Sequence, residues 1–163
     1  MSYRSAIPQR AGLPFDRDEW ELLVKLPGRV VVAATSAPPD APWRTVTEGL
    51  AGIDAIAAGR ASASRLVRDV VAAIYAETGD DPPVPGRVPE PTADVLASCR
   101  SAARLLADQA SREDFDGYRH WLEAIAARVC RAAPTGGLLG LGGQLVRPAE
   151  RAFLAGLGAA FDG

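Results

Sequence analysis

The chain of 163 residues has the length of one ordinary domain, and 48% apolar with 23% charged residues is globular usage. Folding at this length buries roughly 70% of the unfolded surface, so neither disulfides nor a metal are required to hold a core. The 18 basic and 20 acidic residues divide as nine and ten up to Asp80 and again after it, which excludes the concentrated basic tract that binds nucleic acid by displacing counterions.

Residues 1–14 read as a loose, proline-containing arm. Asp16 or Asp18 then caps a helix that turns Trp20, Leu23 and Val24 inward, and Pro27 is expected to break or kink it. Val30-Val31-Val32 suits a strand. No second strand of similar quality exists to pair with it, so residues 28–34 are predicted to form a buried central helix. Residues 36–43 are a proline-rich loop. Thr45-Val46-Thr47-Glu48 has the spacing of a capping box, with Val46, Leu50, Ile53 and Ala57 forming the inward stripe behind it. Ser62 or Ser64 starts the next helix, whose core face is Leu66, Val67, Val70, Val71 and Ile74, with Arg65 and Asp69 paired at i,i+4 outside.

Residues 78–91, with five prolines, cannot be regular helix and are predicted to loop over the surface. A helix from Thr92 to Ala110 points Val95, Leu96, Cys99, Ala103 and Leu106 inward. Ser111 caps the most amphipathic segment, which carries Tyr118, Trp121, Leu122, Ile125 and Val129. Gly136-Gly137-Leu138-Leu139-Gly140-Leu141-Gly142-Gly143 leads to a last helix with Pro148 in its first turn and Phe153, Leu154, Leu157 and Phe161 inward. Ala33-Ala34, a loop and Glu48 are echoed by Ala132-Ala133, a loop and Glu150, a pattern open to two readings: a duplicated helix–loop–helix unit, or the generic way in which helices begin.

A glycine-rich turn before a helix is a common phosphate cradle. This one lacks the Lys-Ser/Thr ending of a P-loop, and no βαβ unit surrounds it. Pro148 removes a donor, and Glu150 already sets a carboxylate at the positive end of the helix. The segment therefore reads first as a structural hairpin. Where it meets a partner, Leu138, Leu139 and Leu141 are the contact residues. His120 is the only histidine and points away from the apolar stripe, about 200° around the helix from Tyr118. Cys99 and Cys130 have neither a disulfide framework nor ligand spacing and are expected to be small core residues. The acidic groups at residues 16–21 and 113–116 read as solvated helix starts. A metal site would draw on Asp40, Glu48 and Glu150, from the loops and starts of the paired helices.

From Tyr118-Arg119-His120-Trp121 through Ile125-Ala126, Val129, Ala132-Ala133 and Gly136-Gly137-Leu138-Leu139-Gly140 to Glu150, the chain resembles small bacterial helical proteins. In those, a Gly-Gly-Phe-Leu-Gly type loop precedes a Val-Ser-x-x-Glu helix start. Leu138 stands here in place of Phe and Arg147 in place of the Ser N-cap, so the second capping box is missing. More distantly, the helix–loop–acidic-helix layout is similar to the tellurite-resistance TerB-like superfamily. That resemblance implies an all-helical fold and a stress-linked, metal-associated or scaffolding role. The expectation is thus one all-α domain of six to seven helices, acting as a non-enzymatic interaction or regulatory module in the cytoplasm. It would need no cofactor, would bind a protein partner or a second copy, and would touch neither nucleic acid nor membrane. A metal- or small-ligand-binding protein is the alternative.

Overall fold

In a computed structural model, residues 13–36, 42–78, 91–132 and 148–163 are described. They form six α-helices and a 3-10 turn: α1 (Arg17–Ser36), α2 (Pro42–Ala58), the turn Gly59–Ala61, α3 (Arg65–Thr78), α4 (Thr92–Gln109), α5 (Arg112–Ala132) and α6 (Pro148–Asp162). No strand occurs among the described residues. The expected arm before residue 13, most of the proline-rich loops and the glycine segment lie outside them.

Helix α5 packs against each of the other five helices. Its inward residues Tyr118, Trp121, Leu122, Ile125, Ala126 and Val129 are all buried, as the amphipathic pattern requires. The buried apolar side chains form one cluster drawing on all six helices, so the chain is a single all-α domain. Among the described residues no helix is long and apolar enough to cross a membrane.

The three valines belong to α1, and Val30 and Val31 are fully buried there. Helix rather than strand is the outcome because α2, α3, α4 and α5 all pack against α1 and bury it on several sides. Of the break or kink expected at Pro27, the break does not occur: α1 is continuous through it. Proline has no N–H to return to the carbonyl four residues back, which is that of Leu23. The Tyr118 hydroxyl, wholly buried on α5, donates to that carbonyl at 2.8 Å. Burial and the neighbouring Cys99 hold the phenol well above its ordinary pKa, so it remains a neutral donor.

Two helix starts differ from expectation. The helix start predicted at Thr45–Glu48 lies inside α2, which begins three residues earlier, at Pro42, and so places Glu48 in its second turn. A reciprocal box exists at α1, where the Glu19 N–H donates to the Asp16 side chain at 2.9 Å and the Asp16 N–H donates to that of Glu19 at 2.8 Å. The inward stripe of α2 is also shifted. Leu50 is 59% exposed and Ile53 and Ala57 are half-buried, whereas Glu48, Gly52, Ala55 and Ile56 are buried. The side chain of Val46 lies outside the described residues. The glycine decides the face: a Cβ on Gly52 would stand 2.6 Å from Val31 and 3.1 Å from Val129.

Helix α3 keeps its predicted face and its Arg65–Asp69 pair, at 3.6 Å. Ser64 caps it, accepting from the Val67 N–H at 3.2 Å. Ser111 likewise caps α5 by accepting from the Asp114 N–H at 3.1 Å. Asp114 is more than a solvated helix start. Its carboxylate reaches across to α3, accepting from the Ser64 hydroxyl at 2.7 Å and from the Leu66 N–H at 3.1 Å. Farther along α5, Arg119 bridges Glu123 at 3.0 Å and Asp162 at 2.6 Å, tying the end of α6 to α5.

Candidate functional site

Helices α2 and α6 both lie against α5 and carry buried carboxylates toward its C-terminal end. On α2, Glu48 sits one turn before Gly52 and therefore on the same face, the one pressed against Val129. On α6, Glu150 occupies the first turn, on the face that Phe153 and Leu157 continue into the core. Each glutamate is only 4% exposed. Buried carboxylates are uncommon, because removing a charge from water costs several kcal/mol, roughly, unless partners compensate it. Neither glutamate is without a partner.

Cys130, buried near the end of α5, lies within the field of both. Burial first, then the negative charges of Glu150 and Glu48, push its thiol up to about 12. Two residues a hundred positions apart thus act on one sulfur. Glu48 and Glu150, matched in the sequence by the loops before them, lie in two helices that both pack on α5 and both influence Cys130, although only Glu150 lies in a first helical turn. Asp40, Leu138, Leu139 and Leu141 lie outside the described residues. By chain connection, residues 37–41 lead into α2, and residues 133–147 join the end of α5 to the start of α6. Cys130 was read only as core. Its place three residues before Ala133-Pro134 marks it as lying near a helix end, but nothing in the sequence tied it to Glu48 or Glu150.

Among the described residues, no three His, Cys, Asp or Glu side chains come close enough to hold a metal ion. The corner as described therefore supplies two carboxylates, and any ion there would draw further ligands from elsewhere, Asp40 being the sequence candidate. Cys99 is the other thiol. Burial pushes it up to about 12 despite the nearby cations Arg29 and Arg100. Both thiols are protonated at neutral pH and are poor nucleophiles in that form. His120 is exposed on α5, as its helical position predicts.

Comparison of the chain with protein-family models, curated proteins and solved structures returned no match.

Proposed function

We propose that this protein is a non-enzymatic binding module of TerB-like type, working at the corner where α2 and α6 bring Glu48 and Glu150 to Cys130. Two buried carboxylates, on the two helices that flank the C-terminal half of α5 and both close enough for their charge to be felt at Cys130, support this reading. The segments that join the helices at this corner carry the sequence candidates for partner contact, Leu138, Leu139 and Leu141. Replacing these three leucines by Ser and repeating an affinity pull-down tests the partner role. Loss of the captured partner at unchanged melting temperature supports it, and an unchanged partner set rejects it.

A second reading, favoured by the carboxylate pair itself, is that the corner holds a divalent cation with Asp40 as an additional ligand. A ligand at 100 times its dissociation constant adds about 2.7 kcal/mol, which raises the melting temperature of a domain this size by about 5–10 °C. Thermal denaturation with magnesium, calcium, manganese and zinc in turn should show that rise for one of them. The rise should vanish in Glu48→Gln/Glu150→Gln. Absence of a shift with every ion removes the metal reading and leaves the partner reading standing.

A further inference from the structure

We draw no further inference here: the strongest candidate, the cleft of about 190 Å3 where residues 13–15 meet the start of α3 and the α4–α5 turn, has its polar groups Arg65, Gln109 and Asp114 engaged with Asp69, Glu19 and Ser64, and nothing in the structure shows what covers it.

Discussion

The carbonyl of Leu23 depends on a side chain 95 residues away, since Pro27 has no N–H to offer it and the Tyr118 hydroxyl donates in its place. Tyr118→Phe should therefore destabilise the protein by about 1–3 kcal/mol, the usual cost of stranding a buried polar group. Pro27→Ala restores a local donor. In that background the same Tyr118→Phe change should cost less, with a coupling of about 1 kcal/mol in a urea double-mutant cycle. Equal costs in both backgrounds would break the link between the two residues. The cysteines make a second prediction at this scale. With both thiols pushed up to about 12, only about one part in ten thousand is thiolate at pH 8, and both side chains are buried. Native protein should resist a thiol reagent that labels Cys99 and Cys130 fully in guanidinium, whereas rapid labelling of either in the folded state contradicts the burial. That both cysteines are core residues was legible from the lack of any disulfide or ligand spacing and, for Cys99, from its place on an apolar face. The Tyr118 contact was not, because a proline reveals a missing donor without revealing which distant residue makes it good.

At the scale of the element, faces and caps were read with unequal success. Helix α3 shows its core side in five branched apolar residues, and the structure keeps all five. Helix α2 misled, because close contacts of α2 and of the turn after it are made by residues with no side chain. Gly52 admits Val31, and Gly59 admits the indole of Trp121 at 2.7 Å from where a Cβ would stand. Hydrophobic periodicity counts side chains and so passes over such contacts. Gly59→Ala should displace Trp121, whose indole N–H donates to the Ala55 carbonyl at 3.3 Å, and cost about 1–3 kcal/mol by urea unfolding. The cap that Asp114 lends to α3 has a pH signature. Burial raises its pKa, but hydrogen bonds from the Ser64 hydroxyl, the Leu66 N–H and Ser111 outweigh this and leave it below the ordinary 3.8. A carboxyl depressed in the folded state contributes stability that is complete above its unfolded pKa and lost as pH falls through the folded one. Asp114→Asn should thus cost about 0.5–2 kcal/mol at pH 7. Its deficit relative to the parent should shrink below about pH 4. A deficit that stays constant down to pH 2 would assign the effect to shape rather than charge.

For the molecule as a whole, the all-helical class followed from the absence of any strand partner for Val30-Val31-Val32, and from long apolar stripes of helical period. The carboxylate pair was half legible. The matching loops singled out Glu48 and Glu150, but periodicity along one helix says nothing about which helices meet, so that both charges would act on Cys130 could not be anticipated. That meeting is made by α5, whose contacts reach every other helix. The hub is written late in the chain: α1, α2 and α3 are complete by residue 78, and α5 ends at residue 132. Since a chain is synthesised from its N-terminus, the first three helices leave the ribosome with their common partner still untranslated. Val31, Gly52 and Val71 then wait for Val129 and Trp121, and for that interval the nascent chain presents an apolar surface that suits a chaperone.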